Sequence, residues 1–316
     1  MEKILGLHHI TAICGDPQEN IDFYTGVLGL RLVKITVNYD DPAAYHLYYG
    51  DTSGSPGTAL TFFAWPGAQH GKLGLGQAIS ISFSVPENSL GYWRDRLKHQ
   101  GIDVSSPPRQ IDGEILVLRD PDGIILELIP TDSSDTRIGW VGGPVSAEHS
   151  IKGFHNVAIS ERGFGTASIL LRDTLGFHLK EGRGDIARFK TGDGGPGKLI
   201  DIHASNKEFR GNVAVGSIHH VAWRTPDDTE QLFWREKITA SGVYTTAVVD
   251  RYYFKSIYFR EPGGVLFEIA TDRPGFTIDE PVESLGGRLM LPPWMESRRG
   301  EIERNLQPLE LAKVYA

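Results

Sequence analysis

Residues 216–223 read Gly-Ser-Ile-His-His-Val-Ala-Trp, and residues 265–271 read Val-Leu-Phe-Glu-Ile-Ala-Thr. Both are short apolar runs with the β-branched and aromatic enrichment of strands. Between them lie a helix-like run, Thr229–Ser241, and a loop, Arg260–Gly264, that turns into the second strand. The first strand carries His220 and the second Glu268. An imidazole and a carboxylate on neighbouring strands are two thirds of the 2-His-1-carboxylate set that holds iron(II) with open positions. The third ligand has to come from elsewhere in the chain.

The stretch is one copy of a repeat. Trp93-Arg94 matches Trp234-Arg235, Gly101 matches Gly242, Pro121 matches Pro262 and Glu127 matches Glu268, in one register without a gap. A second pair begins at His9, in the strand Leu7–Ile13, and at His155, in the strand Phe154–Ser160. His9 precedes Gly29 by 20 residues, and His155 precedes Gly176 by 21. The chain therefore reads as four modules, roughly 5–65, 76–131, 151–204 and 215–271, with 1 resembling 3 and 2 resembling 4. Each holds a strand, an amphipathic helix such as Leu90–Gln100, and three more strands punctuated by Gly and Pro. One βαβββ unit cannot close a core. Two paired edge to edge make a curved eight-stranded sheet with a cavity on its concave side, and four make two such sheets. The predicted class is α+β, four βαβββ modules paired into two curved, barrel-like mixed sheets. Along the chain the expected divisions are 1–131, 151–271 and a tail, 272–316, with linkers at 66–76 and 131–150.

Composition narrows the function. The 316 residues are 40% hydrophobic and 23% charged, as in an ordinary soluble protein. A net charge of −8 argues against a nucleic-acid partner. No run reaches the ~18 apolar residues of a membrane span, and the first residues are patterned as a strand and not as a signal peptide. A single cysteine, Cys14, cannot form an internal disulfide, which points to a reducing cytoplasm.

The ligand set depends on which modules share a sheet. Pairing 3 with 4 gives His155, His220 and Glu268. Pairing 1 with 4 gives His9, His220 and Glu268, and leaves Ser80, Glu127, His155 and Asp201 together in the other sheet. Spacing alone does not choose between them. His8-His9-Ile10-Thr11 is the twin of His219-His220-Val221-Ala222, whereas Phe154-His155-Asn156 lacks the doubled histidine, which favours His9. Glu268 is flanked by Phe267 and Ile269, and a carboxylate buried there needs a partner or a metal.

At these residues the chain resembles the vicinal oxygen chelate superfamily of glyoxalases, bleomycin-resistance proteins and extradiol dioxygenases. Within it the likeness is to hydroquinone-type ring-cleaving dioxygenases. His8–Thr11, Phe23-Tyr24, Leu28-Gly29-Leu30, Ser217–Ala222, Phe267–Thr271 and Leu291-Pro292-Pro293-Trp294 carry it. The resemblance implies an Fe(2+) centre of His9, His220 and Glu268, with Mn(2+) accepting the same donors. It also implies supporting roles for Thr11, His219, Arg251, Tyr258 and His8. Regular strand alternation would turn His8 and His219 away from the metal unless a bulge intervenes. The partners implied are a small aromatic substrate and O2, and a homo-oligomer is compatible with the reading. The rival functions are a glyoxalase-type isomerase and a metal-free binding protein of the bleomycin-resistance type. The isomerase needs a second carboxylate on the closing strand of the partner module, where the reading places Phe62.

Overall fold

The computed structural model describes residues 3–107 and 111–311. The first module supplies β1 (Leu7–Cys14), α1 (Pro17–Ile21, continued by a π-helical stretch, Asp22–Val27), β2 (Arg31–Asn38), β3 (Asp41–Gly50) and β4 (Ala59–Ala64). The second supplies β5 (Gln77–Pro86), α2 (Leu90–His99), β6 (Leu116–Arg119) and β7 (Ile125–Thr131). The third supplies β8 (Gly153–Glu161), α3 (Gly165–Ile169, continued by Leu170–Thr174), β9 (His178–Arg183), β10 (Ile186–Lys190) and β11 (Leu199–Ala204). The fourth supplies β12 (Ser217–Thr225), α4 (Asp228–Ala240), β13 (Val249–Asp250), β14 (Lys255–Arg260) and β15 (Leu266–Thr271).

Local chemistry sets these boundaries. Asp227 caps α4 by accepting from the Thr229 and Glu230 amides at 2.9 and 3.0 Å. Gly101 and Gly242 end α2 and α4 at φ +72° and +86°, a conformation glycine adopts without strain. Gln231, Trp234 and Ile238, spaced three and four apart, are the residues α4 buries. Burying a large apolar side chain contributes about 1.5–3 kcal/mol relative to leaving it exposed.

The strands form two mixed sheets, in the orders β13-β14-β15-β12-β1-β4-β3-β2 and β6-β7-β5-β8-β11-β10-β9. The first is strongly curled. The pairing is settled: β1 runs antiparallel to β12, and β5 antiparallel to β8. Module 1 therefore shares a sheet with module 4, and module 2 with module 3. Each sheet draws one module from either side of the 131–150 linker. The second sheet has seven named strands. Where module 2 would place its second strand, the described residues show a single bridge, Ser105 with Val117.

The tail packs along the outer edge of the first sheet. Met290 N donates to Ile35 O at 2.8 Å, and Leu291, Met295, Ile302 and Leu306 cluster with Val37 of β2. Its last helix is α5 (Arg299–Asn305). Trp294 meets Tyr39 and Tyr252 edge-on at 5.9 and 5.8 Å. The tail thus straps the β2–β3 hairpin, whose tip overhangs the cavity described next. The end of the predicted tail, 312–316, lies outside the described residues.

Candidate metal centre

Alternation decides which side chains enter the curl of the first sheet. On β15, Phe267 and Ile269 join the core, and Glu268 between them faces the cavity side, with no solvent exposure. β12 brings His220 and β1 brings His9 to the same point. His9 Nε2 lies 3.2 Å from His220 Nε2 and 3.4 Å from Glu268 Oε2, and His220 Nε2 lies 3.0 Å from Glu268 Oε2. Cis donors round an octahedral ion bonded at ~2.1 Å are ~3.0 Å apart, so the three atoms match one face of such an ion. Glu268 Oε1 accepts from Ser256 Oγ at 2.5 Å, while no N–H or O–H is aimed at the buried Oε2. A buried carboxylate oxygen left in this way suits a metal. Burial works to raise the Glu268 carboxyl, but the two imidazoles outweigh it and hold it well below its ordinary range. Burial depresses His220, so that ring stays neutral, as a ligand must.

The doubled histidines are explained by register. Leu7 and His9 stand opposite the adjacent residues Trp223 and Ala222, so His8 is the extra residue of a bulge in β1. Thr11 and Ala12 stand opposite His220 and Ile218, so His219 is the extra residue of a bulge in β12. These two bulges supply the exception to regular alternation. His8 Nδ1 lies 2.9 Å from His9 Nδ1, and His219 Nδ1 lies 2.8 Å from His220 Nδ1. His8 Nε2 meets the Thr271 carbonyl at 3.1 Å. A carbonyl only accepts, so His8 carries its proton on Nε2, and its bare Nδ1 accepts from His9 Nδ1–H. That leaves the lone pair of His9 on Nε2, pointing at the centre. Burial lowers both His8 and His219 to about 3, which keeps them neutral.

A cavity of about 320 Å³ opens on the triad. His219, Arg251 and Tyr258 line it, with Phe63, Trp65 and Phe254 as aromatic walls and Asn38–Asp40 at one side. Arg251 donates from Nε to Tyr258 Oη and from Nη1 to Asp40, both at 3.0 Å. Burial raises the Tyr258 hydroxyl well above its usual range, so it stays protonated. Thr11 is buried, its Oγ1 2.8 Å from Thr61 Oγ1. All the residues named from sequence around His9 thus come together. His46 and Tyr48, which also line the cavity, were missed. Their signal was the alternation Ala44, His46, Tyr48 along β3.

His155 lies elsewhere. It is in the second sheet, 2.7 Å from Asn156 Oδ1. Gly6 stands just before β1 and Gly153 opens β8, both at positive φ, and counting from them matches His155 to His8 and Asn156 to His9. The equivalent cleft lacks a histidine pair and holds a cation of its own. Arg188, fully buried, pairs with both oxygens of Asp201 at 2.6 and 2.7 Å and also grips Asp112. Phe62 also needs correction. It faces the core, against Tyr24, and the residues of β4 on the cavity side are Thr61 and Phe63, Thr61 being the one level with Thr11.

The profile of the glyoxalase/bleomycin resistance protein/dioxygenase superfamily matches residues 6–128 and 170–269. The chain belongs to this superfamily. A Bacillus subtilis protein carrying the name "Putative ring-cleaving dioxygenase MhqO" is 43% identical over 314 residues, 99% of each chain. The chlorohydroquinone/hydroquinone 1,2-dioxygenase of Sphingobium indicum is 33% identical, over 96% of this chain and 97% of its own. A crystal structure from Bacillus subtilis superposes with a TM-score of 0.93 at 42% identity, covering 98% of this chain and 99% of that one. Maize glyoxalase I shares the fold, with a TM-score of 0.61 at 16% identity over 84% of this chain and 92% of its own. As a superfamily member with this His-His-Glu cluster, the chain is of a metal-dependent kind. No helix among the described residues is long and apolar enough to cross a membrane.

Proposed function

We propose that the chain is an iron(II)-dependent ring-cleaving dioxygenase that opens a hydroquinone with O2, an extradiol-type reaction in degradation or detoxification of aromatic compounds. The observation that carries this reading is the convergence of His9, His220 and Glu268 on one point beside an aromatic-walled cavity of about 320 Å³. The end-to-end likeness to named ring-cleaving dioxygenases supports it. Three neutral or anionic donors on one face leave the opposite face open, which is the arrangement used to activate O2 beside a bound substrate. Iron, when bound, supplies the redox chemistry between ring and oxygen; manganese accepts the same donors.

The protein's own part is binding and hydrogen bonding. Phe63, Trp65 and Phe254 hold a flat ring and exclude water. His219, neutral and accepting at Nδ1 from His220, keeps its proton on Nε2 and is placed to donate a hydrogen bond to a ring oxygen in the cavity. Tyr258 remains a hydrogen-bond donor, and Arg251 orients it while placing a positive charge for oxygens that become anionic. The single thiol suits a reducing cytoplasm.

The test is to load the protein anaerobically with ferrous iron and supply methyl- or chlorohydroquinone in air-saturated buffer. Stoichiometric O2 uptake with a new absorbing ring-opened product is expected. No uptake with any hydroquinone or catechol, but turnover of a hemithioacetal, would replace the reading with an isomerase.

A further inference from the structure

The two halves of the curled sheet correspond residue by residue. Thr11, two along from His9, is paired with Thr61 between β1 and β4. Ala222, two along from His220, is paired with Glu268 between β12 and β15. Thr61 is therefore the counterpart of Glu268. The second sheet carries carboxylates at both corresponding places, Asp201 beside Ala158 and Glu127 beside Ser82. Of the four closing strands, that of module 1 puts a hydroxyl where the others put an acid.

Thr61 is held on both sides. Its Oγ1 lies 2.8 Å from Thr11 Oγ1 and 2.9 Å from His46 Nε2, and Tyr48 Oη lies 2.9 Å from His46 Nδ1. Burial keeps His46 neutral, with one ring proton. An order in which every group is used has Tyr48 donating to Nδ1, Nε2–H donating to Thr61, and Thr61 donating to Thr11. In this order the proton and one of the two lone pairs of Thr61 are engaged by Thr11 and His46, and a neutral hydroxyl brings no anionic donor to the centre.

We infer that Thr61 is what holds the centre at three protein ligands, and that His46 and Tyr48 lock it in that role. The inference rests on the metal reading above and names the residue that decides between an open and a closed coordination sphere. A carboxylate at position 61 would face Glu268 across the same point. It would supply a second anionic donor and occupy the face that substrate and O2 need. Thr61 is also the residue whose hydroxyl chain reaches the cavity wall, so its removal is felt in turnover without any change in ligand number.

The experiment compares wild type with Thr61→Glu, Thr61→Asp and Thr61→Val. Mn(2+) binding is followed by electron paramagnetic resonance, exchangeable water on the ion by proton relaxation, melting with and without Mn(2+), and O2 uptake with methylhydroquinone after iron loading. Thr61→Glu is expected to bind Mn(2+) at least about tenfold more tightly, because each added anionic ligand strengthens a hard-cation site. Its ion should relax water less than in wild type. It should melt below wild type when metal-free and gain more from Mn(2+), since a buried carboxylate without a cation is costly. Its O2 uptake should fall by about 100-fold or more, for want of an open face. Thr61→Val should keep Mn(2+) affinity within about threefold, as neither side chain is a ligand.

Folded Thr61→Glu and Thr61→Asp proteins that both bind Mn(2+) no more tightly than wild type would overturn the inference. Should neither fold, a wild-type ion with fewer than two exchangeable waters would overturn it. Wild type that binds no metal, or takes up no O2, would instead refute the proposed function.

Discussion

His8 offers a sharp test of how the centre is held together. The side chain bridges the Thr271 carbonyl, at 3.1 Å, and His9 Nδ1, at 2.9 Å, and is 4% exposed. His8→Leu removes both contacts while keeping an apolar side chain of similar bulk. It leaves a buried carbonyl without a donor and a buried ring N–H without an acceptor, at about 1–3 kcal/mol each, or about 2–6 kcal/mol of folding stability at most. It also frees His9 to turn its lone pair away from the centre. Outer partners of ligating histidines are worth about 10–100-fold in metal affinity, so Mn(2+) should bind His8→Leu weaker by that factor. His8→Gln can donate its amide N–H to Thr271 and accept from His9 with its carbonyl oxygen. It should recover most of the affinity and most of the melting temperature. Mn(2+) titrations and thermal melts of the three proteins give the answer. His8→Leu binding as tightly as wild type, or His8→Gln losing as much as His8→Leu, would show that His8 does not set the His9 tautomer.

Other expectations follow from single residues. Glu268→Gln keeps the bond from Ser256 but removes the anionic donor, and its Mn(2+) affinity should fall by more than the ~100-fold ceiling for outer partners, with wild type taking up one ion per chain in the same titration. Arg188→Met takes the buried guanidinium away from the carboxylate of Asp201, and should cost about 3–5 kcal/mol in a denaturant titration without changing metal stoichiometry. Glu161 is raised to about 8 by burial and by Glu261 beside it, with Arg210 opposing. Between its ordinary value near 4.5 and about 8 the folded state therefore binds more proton than the unfolded, so this contribution is fully present below that window and lost as pH rises through it. Glu161→Gln should flatten the fall in melting temperature between pH 5 and 8.5; an unchanged slope would place the effect elsewhere, Asp120, raised to about 7 by burial, being the next group to test.

Much of the architecture was legible because repetition is a strong signal. The ungapped match from Trp93-Arg94 to Glu127 with Trp234-Arg235 to Glu268 fixed the module and its helix stops, and the structure confirms Gly101 and Gly242 in the left-handed conformation. Pairing was not legible. Which edge strand meets which is decided by long-range hydrogen bonds and by the loops that carry the chain across, and neither leaves a local pattern. Even so, one count was available. His8, and not His9, lies 21 residues before Gly29, as His155 lies 21 before Gly176. That equality makes Asn156 the counterpart of His9, but only the register of β1 against β12 shows that His9, and not His8, is the histidine that meets His220 and Glu268. The same one-residue slip put Phe62 in the place of Thr61.

The slips share a cause in the pleat. A strand shifted by one residue shows its other face, and a bulge is such a shift built into the backbone. His8 and His219 are the inserted residues of two bulges, one in each central strand, and each stands beside a ligand, so the insertion places two imidazoles side by side on one face. Doubled histidines opening two modules were the mark of those bulges in the sequence. The corresponding strands of the other sheet keep the bulges, at Ile79 and His155, with Ser80 and Asn156 following them. Backbone geometry has therefore persisted where ligand chemistry has not, with Arg188 providing the positive charge. A site of this kind is specified twice, by a backbone that can present four side chains at one point and by the side chains that stand there. The sequence pattern reports the first far more strongly than the second. This is why Glu127, in the same frame as Glu268, is bonded to Ser82 in a cleft without a histidine pair, while Glu268 meets two histidines.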